Sequence, residues 1–187
     1  MSKKNTNGES TKKQVIIVDD HTMMREGLKQ LIESEGDLEC IGMASNTQEA
    51  VALVEKHKPD LVTVDITMPG RNGLELIKDV LALSPGTPLL VISMHDETLY
   101  AQRVLKAGAK GYVMKDADSK TLIKAIRQVI NGGIYVSPAM SVQILEAFSG
   151  RNANRPVDGV HKLSDREFEV FQLIGEGQST QQIADTL

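Results

Sequence analysis

The stretch VIIVDD, residues 15–20, is a run of four β-branched residues that ends in two adjacent aspartates. Similar apolar runs recur as LECIGMA (38–44), LVTV (61–64), PLLVIS (88–93) and GYVM (111–114). Each run is long enough for one strand, and near-continuous apolar strands are typical of a sheet that is buried on both faces. The runs therefore predict five strands.

Longer segments between these runs carry apolar residues three and four positions apart, which predicts helices. The residues with this spacing are Met24, Leu28, Leu31 and Ile32, then Leu74, Ile77 and Leu81, and finally Leu122, Ile126 and Val129. Parallel neighbours need crossover connections, and strict alternation of strand and helix supplies them. We expect an α/β fold with a doubly wound, five-stranded parallel sheet.

The chain changes character after this alternating region. We predict a disordered tail over 1–13, an α/β domain over 14–135, a helix and linker over 136–162, and a smaller all-α unit over 163–187. The predicted extra helix covers about 138–148, and the segment that follows it is rich in Gly, Asn, Arg and Pro, as flexible linkers are.

Two local patterns define helix ends in the later part of the chain. Asn131-Gly132-Gly133 is typical of a helix stop. Ser164, followed three residues later by Glu167, forms a capping box, which predicts that a helix begins there. Glycines 175 and 177 close that helix, and a further helix begins at Thr180.

Composition excludes several classes of protein. The single cysteine rules out an internal disulfide, and the Lys-rich tail lacks the apolar core of a secretory signal. No apolar run approaches the roughly 18–20 residues of a membrane span. We therefore expect a soluble, cytoplasmic protein without a membrane partner. The net charge is -4, and the predicted folded region lacks the basic surface typical of nucleic-acid binding.

Carboxylates follow two of the predicted strands at the point where each strand ends. Asp19 and Asp20 come directly after the first strand, and Asp65 follows the third. Parallel sheets bind ligands at this carboxyl edge. Three converging carboxylates repel one another unless a cation joins them, and oxygen ligands favour a hard ion such as Mg²⁺. The pattern predicts a divalent metal site.

The same edge receives a hydroxyl and an ammonium group, from Ser93 at the end of the fourth strand and Lys115 after the fifth. Such groups bind phosphate oxygens, so Asp65, which stands alone, could take a phosphoryl group as a nucleophile. Each residue also has a structural explanation: Asp20 could cap a helix, Lys115 could be a solvated charge, and Ser93 could merely end a strand. All of them together, in this order, favour phosphoryl chemistry.

At these positions the chain resembles the receiver domains of two-component response regulators. The matching motifs are VDD (18–20), DITMPGRNG (65–73), VIS (91–93) and GYVMK (111–115), within a resemblance that covers roughly 14–131. The resemblance implies a flavodoxin-like sheet of strand order 2-1-3-4-5. It also implies a phosphorylated switch that is not an enzyme, beyond promoting its own phosphorylation and dephosphorylation.

The resemblance assigns roles to the acidic residues. Asp65 would accept the phosphoryl group from a sensor histidine kinase. Asp19, Asp20, Asp65 and the backbone carbonyl of Thr67 would bind Mg²⁺, or Mn²⁺ in its place. An alternative is a phosphohydrolase of the haloacid-dehalogenase type, but that chemistry needs a second Asp where this chain has Thr67. A further alternative is a receiver used only for protein interaction.

The resemblance also implies a switch. Ser93 and Lys115 would contact the phosphoryl group, and Tyr112 would be the switch aromatic, filling the space left when Ser93 moves inward. The altered surface of the fourth helix, fifth strand and fifth helix would promote a homodimer and free the C-terminal unit. Many receivers have Lys-Pro after the fifth strand, whereas this chain has Lys115-Asp116, so we expect no cis peptide there.

The C-terminal unit resembles the DNA-binding helix-turn-helix of LuxR-type regulators in the NarL/FixJ subfamily. The matching residues are Leu163, Ser164, Arg166, Glu167, Glu169, Val170, Leu173, Ile174, Gly177, Ser179, Ile183, Ala184 and Leu187. The family usually has Glu at the position of Gln182. The resemblance implies transcription regulation in the complete protein. Family members continue with a recognition helix that enters the major groove, and residues 163–187 do not include it, so we expect an incomplete helix-turn-helix that binds DNA weakly or not at all.

Overall fold

The computed structural model describes residues 12–68, 73–148, 159, 163–175 and 177–186. Residues 1–11 of the predicted disordered tail, residues 69–72 of the TMPGRNG loop and nearly all of the predicted linker lie outside the described residues. The predicted tail boundary at residue 13 is wrong, because Lys13 pairs with Leu38 and is the first residue of a strand. The strands are β1 Lys13–Val18, β2 Leu38–Ala44, β3 Leu61–Val64, β4 Leu89–Ser93 and β5 Gly111–Met114. The helices are α1 Thr22–Glu33, α2 Thr47–His57, α3 Gly73–Leu83, α4 Glu97–Ala107, α5 Ser119–Ile130, α6 Pro138–Phe148, α7 Asp165–Gly175 and α8 Thr180–Thr186.

The five strands form one parallel sheet in the order β2-β1-β3-β4-β5, as predicted. Three of the apolar runs match their strands residue for residue, and β1 and β4 differ by one or two residues at their first position. The order changes direction between β1 and β3, which is where such sheets form a crevice at their carboxyl edge.

Helices cover both faces of the sheet because the strand residues are apolar on both sides. One buried cluster joins Val62 and Val91 of the sheet to helices α2, α3 and α4. The other joins Val15 and Ile17 to helices α1 and α5. The predicted doubly wound architecture is confirmed, and its two cores hold β3 in the middle of the domain.

A segment beyond α5 covers the outer edge of β5. Helix α5 ends at Ile130, and Gly132 has a φ of +84°, as the Asn-Gly-Gly stop predicts. The chain then bridges Gly111 through Tyr135, whose carbonyl accepts a 2.9 Å hydrogen bond from the Tyr112 amide. This bridge pairs backbone groups that an edge strand would otherwise leave open.

The C-terminal helices begin where the sequence predicts. The Ser164 amide donates to Glu167 Oε2 at 2.8 Å, and the Glu167 amide donates to Ser164 Oγ at 3.3 Å, so the capping box is confirmed. A second reciprocal pair joins Ser179 and Gln182 at the start of α8. Gln182 therefore serves the cap although it replaces the usual Glu. Over the described part of the chain, no helix is both long and apolar enough to cross a membrane.

Candidate functional site

Parallel pairing of β1 with β3 brings the predicted acidic residues together. Val18 is in register with Val64, so Asp19 and Asp65 emerge side by side, and the Asp65 amide donates to the Val18 carbonyl at 2.9 Å. Ligand atoms of Asp19, Asp20, His21 and Asp65 all lie within 4.8 Å of one another. The structure thus gathers all three predicted carboxylates at the carboxyl edge of the sheet.

Helix α1 begins beside these carboxylates, but Asp20 does not cap it. The N-cap residue is His21, and its side chain makes no capping hydrogen bond. The possible capping role for Asp20 is therefore wrong, because the Asp20 carboxylate turns toward the acidic cluster. Its Oδ1 is buried and has His21 Nδ1 at 2.8 Å, yet it accepts no hydrogen bond of acceptable geometry from the described residues.

The acidic cluster suits a hard divalent cation. Asp19 and Asp65 are 2% and 3% exposed, so water screens the repulsion between their negative charges only weakly. The buried Asp20 oxygen without a hydrogen bond is an open acceptor at the same place. Carboxylate oxygens are the ligands that Mg²⁺ favours, and the cluster is consistent with a Mg²⁺ site. The His21 imidazole lines this pocket at the start of α1.

Lys115 lies between two of the buried carboxylates. Its Nζ is 2.6 Å from Asp19 Oδ2 and 2.6 Å from Asp65 Oδ2. The register of β4 with β5 brings it there, since the Lys115 amide donates to the Ser93 carbonyl at 2.8 Å. No cis peptide occurs in the described residues, so the Lys115-Asp116 bond is trans, as predicted.

Burial and pairing compete in setting the charges of this ion pair. Burial raises the pKa of Asp65 above its ordinary value, and this effect outweighs the opposing hydrogen bond and positive charge of Lys115. Burial lowers the pKa of Lys115, but the hydrogen bonds to Asp19 and Asp65 outweigh it, so that pKa is raised. Lys115 therefore stays charged. Burial makes the ionised form of Asp65 unfavourable, and a second cation beside it would reduce that penalty.

Ser93 and Tyr112 occupy neighbouring buried positions behind the pocket. Both are fully buried, and the Tyr112 hydroxyl donates to the His95 carbonyl at 2.7 Å. Burial raises the pKa of Tyr112 well above its usual range, opposed by a hydrogen bond with Ser93. Tyr112 is thus buried next to Ser93, and its role as the switch aromatic stays a prediction.

Gly73 allows α3 to begin directly against the Asp65 backbone. A Cβ at this position would lie 2.2 Å from the Asp65 carbonyl oxygen and 2.8 Å from Ile66 Cα. The Gly73 amide also donates to the Ile66 carbonyl at 2.9 Å. The sequence shows Gly73 only as the end of a motif, and its steric role depends on how closely the helix returns to β3.

His95 is a site residue that the sequence analysis missed. Its Nε2 lies 2.6 Å from Thr67 Oγ1, and its amide donates to Ser93 Oγ at 3.2 Å. The side-chain contact joins residues 28 positions apart in the chain. The available signal was its place two residues after Ser93, just beyond the end of β4, where the other site residues also emerge.

Comparison with known families gives one domain-level match. The model described as the response regulator receiver domain matches residues 15–127. Among curated proteins, the chain is 35% identical to the transcriptional regulatory protein DegU of Brevibacillus brevis, over 93% of this chain and 79% of that protein. It is 34% identical to the oxygen regulatory protein NreC of Staphylococcus carnosus, over 92% of this chain and 82% of that protein.

Solved structures agree with these matches. A LuxR-family two-component response regulator from Aurantimonas is similar with a TM-score of 0.69 and 31% identity, covering 74% of this chain and 99% of that one. The receiver domain of the response regulator NarL from Mycobacterium tuberculosis is similar with a TM-score of 0.62 and 31% identity, covering 65% of this chain and 98% of that one.

Proposed function

The chain belongs to the two-component response regulators of the NarL/FixJ subfamily, and we propose that its Asp65 accepts a phosphoryl group from a cognate sensor histidine kinase. Response regulators of this kind are switches and not conventional enzymes. The observation that carries the proposal is the buried grouping of Asp19, Asp65 and Lys115, with Nζ 2.6 Å from each carboxylate.

The hydrogen bonds favour Asp65 over Asp19 as the acceptor. Asp19 Oδ1 accepts from the His21 amide at 2.8 Å and Oδ2 contacts Lys115, so both of its oxygens are well bound. Asp65 Oδ1 accepts a longer bond of 3.3 Å from the Thr67 amide. An Asp65 oxygen forms the new bond to phosphorus as the bond from phosphorus to the donor breaks, and the leaving group takes the electron pair.

Mg²⁺, or Mn²⁺ in its place, would be held by Asp19, Asp20, Asp65 and the backbone carbonyl of Thr67. When bound, it supplies positive charge that the transferring phosphoryl group needs. Lys115 contributes a second positive charge from its place between the carboxylates. These charges matter because most of the catalysis in phosphoryl transfer is positioning and electrostatic stabilisation.

Ser93 and Lys115 would contact the phosphoryl group once it is attached. A phosphoryl group adds about -1.5 to -2 charges, so it would draw the Ser93 hydroxyl toward itself. The movement of Ser93 would favour the packing in which the Tyr112 ring is buried. In the alternative packing, the ring would point toward the protein surface. The modification would shift the population between these two packings.

The output of the switch is proposed to be transcription regulation by the complete protein. Helices α7 and α8 begin with the reciprocal caps expected for the helix-turn-helix unit, and the relative DegU is described as a transcriptional regulatory protein. DNA is the proposed partner of that unit, and a homodimer formed on phosphorylation is the proposed active state. The domain limits of 14–135 and 163–187 are part of the same proposal.

The test is intact mass after incubation with Mg²⁺ and a small-molecule phosphodonor. We expect a gain of one phosphoryl group in the wild type and none in Asp65→Asn or without the metal. Asp60→Asn is the matched control, because Asp60 precedes β3 while Asp65 follows it, and we expect this variant to gain the group. An unmodified wild type that remains folded and binds Mg²⁺ would contradict the proposal and favour a protein-interaction role.

A further inference from the structure

A continuous series of side-chain contacts leads from the acidic pocket to α7. The His95 ring contacts Thr67 Oγ1 at 2.6 Å and stacks on Tyr100 of α4, with ring centroids 4.7 Å apart. Tyr100 meets the Phe168 ring of α7 edge-on at 5.1 Å, and its hydroxyl donates to Gln172. The pocket and α7 are thus separated by only two intervening aromatic side chains.

Helix α7 is held on α3 and α4 by further contacts that do not involve the pocket. The Arg103 guanidinium lies 4.2 Å from the centre of the Phe168 ring and donates to the Leu163 carbonyl at 2.8 Å. Lys78 of α3 pairs with Asp165 at 2.7 Å. Phe168 is 2% exposed and belongs to the receiver's buried cluster, so α7 is docked by an apolar anchor with charged contacts around it.

The His95 backbone contacts both residues of the proposed switch. Its amide donates to Ser93 Oγ at 3.2 Å, and its carbonyl accepts from the Tyr112 hydroxyl at 2.7 Å. His95 therefore touches four parts of the molecule: Ser93 and Tyr112 through its backbone, and the Thr67 hydroxyl and the Tyr100 ring through its imidazole.

We propose that His95 is the positioning residue that couples phosphorylation of Asp65 to the docking of α7 on α4. The inference rests on the proposed function of Asp65. A phosphoryl group next to Thr67 offers charged acceptor oxygens, which bind an N–H donor about twice as strongly as a neutral hydroxyl does. The imidazole leaves Thr67 for the phosphoryl group while the Tyr112 hydroxyl still holds the His95 carbonyl, and the stacking on Tyr100 is lost.

Loss of this stacking loosens α7. Tyr100 then no longer has the His95 ring behind it, and its edge contact with Phe168 weakens. The result is a population shift in which undocked α7 becomes more frequent in the phosphorylated protein. Couplings between sites in proteins typically change an equilibrium by about 5-fold to 150-fold, so the change is measurable.

The test measures hydrogen exchange of the α7 amides, residues 165–175, in the full chain with and without an excess of phosphodonor and Mg²⁺. We expect phosphorylation to raise the wild-type α7 exchange rate at least about fivefold. Two variants separate the contacts of His95. His95→Phe keeps a ring on Tyr100 but cannot hydrogen-bond, and His95→Gln keeps an amide N–H but has no ring.

We expect both variants to lose the response of α7, which is compared at the phosphorylated fraction that intact mass gives for each sample. In His95→Gln, α7 should exchange faster than in the wild type even without phosphodonor, because the stacking is absent in both states. His57→Gln, at the end of α2, is the matched control and should respond like the wild type. Peptides from β1 and β3 report in each sample whether the receiver is folded.

The possible results are distinguishable because mass and exchange are read on the same samples. Loss of the response in either variant supports the coupling and identifies the contact that carries it. A phosphorylated wild type whose α7 exchange is unchanged overturns the inference alone, as does an unaltered response in both variants. A wild type that gains no mass overturns the proposed function, and the inference falls with it.

Discussion

Strand β3 has an aspartate at each end, and each aspartate is paired with a lysine. Asp60 precedes the strand and lies 2.8 Å from Lys13, with side chains 34% and 52% exposed. Asp65 follows the strand and lies 2.6 Å from Lys115, with side chains 3% and 7% exposed. The two pairs differ little in distance, so burial is the main difference between them.

Burial reverses the effect of the pairing on the carboxylate. For Asp60, burial raises the pKa, but hydrogen bonds from the Gln14 amide and Lys13 outweigh it, and the pKa is lowered. For Asp65, burial outweighs Lys115 and the pKa is raised. In the exposed pair, the ionised carboxylate is stabilised by its partners. In the buried pair, the negative charge of Asp65 is only partly compensated, so it can attract a bound cation.

The largest expected difference is in phosphorylation. Replacing Lys115 by Met removes the positive charge beside Asp65, and we expect the rate of phosphorylation by a small-molecule donor to fall about 100-fold. Lys13→Met makes the same change in the exposed pair and should leave that rate unchanged. Rates are read from the time course of intact mass. Equal rates in the two variants would contradict a special role for the buried pair in phosphorylation.

Mg²⁺ should stabilise the protein through the buried pair only. At a free Mg²⁺ concentration of about 100 times its dissociation constant, we expect the free energy of unfolding to rise by about 2.7 kcal/mol. The rise should be much smaller in Asp65→Asn and unchanged in Asp60→Asn. Urea unfolding with and without the metal measures it, and an equal rise in all three proteins would show that the metal binds elsewhere.

Neutralising the two aspartates should change metal-free stability in opposite directions. Because the folded protein raises the pKa of Asp65, the ionised form is disfavoured, and we expect Asp65→Asn to stabilise the protein by about 1 kcal/mol at neutral pH. Because the pKa of Asp60 is lowered, Asp60→Asn should destabilise it by less than about 1 kcal/mol. Urea unfolding in the presence of a chelator gives both values.

The pH dependence of those two differences follows from the direction of each shift. Asp65 has a folded pKa above its unfolded value, so its relative stabilisation is present below the unfolded pKa and is lost as the pH rises through the folded one. Asp60 contributes stability above its unfolded pKa and loses it as the pH falls. Both variants should therefore approach the wild type in acid, measured by unfolding at several pH values.

Salt should give the smallest difference between the two pairs. Raising the ionic strength to about 1 M shortens the screening length to about 3 Å, so the small penalty of Asp60→Asn should largely vanish. The stability difference between Asp65→Asn and the wild type should change much less, because the buried charges are shielded from solvent ions. Unfolding in low and high NaCl compares them, and equal salt sensitivity would contradict the assigned burial.

Sequence patterns predicted the strands and the gathered carboxylates because both depend on local rules. A continuous apolar run specifies a buried strand, and parallel pairing brings the residues after Val18 and Val64 together without further information. The contacts of His95, Tyr100 and Phe168 were missed because they join residues far apart in the chain through side-chain packing. The role of Gly73 likewise depends on a close approach that no local pattern states.

The backbone bridge at Tyr135 determines what kind of motion the Tyr112 side chain can make. Pairing with β4 on one side and the hydrogen bond to the Tyr135 carbonyl on the other hold the Tyr112 main chain in place. In the proposed switch, the side chain would then exchange positions by rotating about its own torsion angles, without sliding of the strand. Its rate is set by how often the surrounding core opens, so it should be far slower than the picosecond-to-nanosecond flips of exposed side chains.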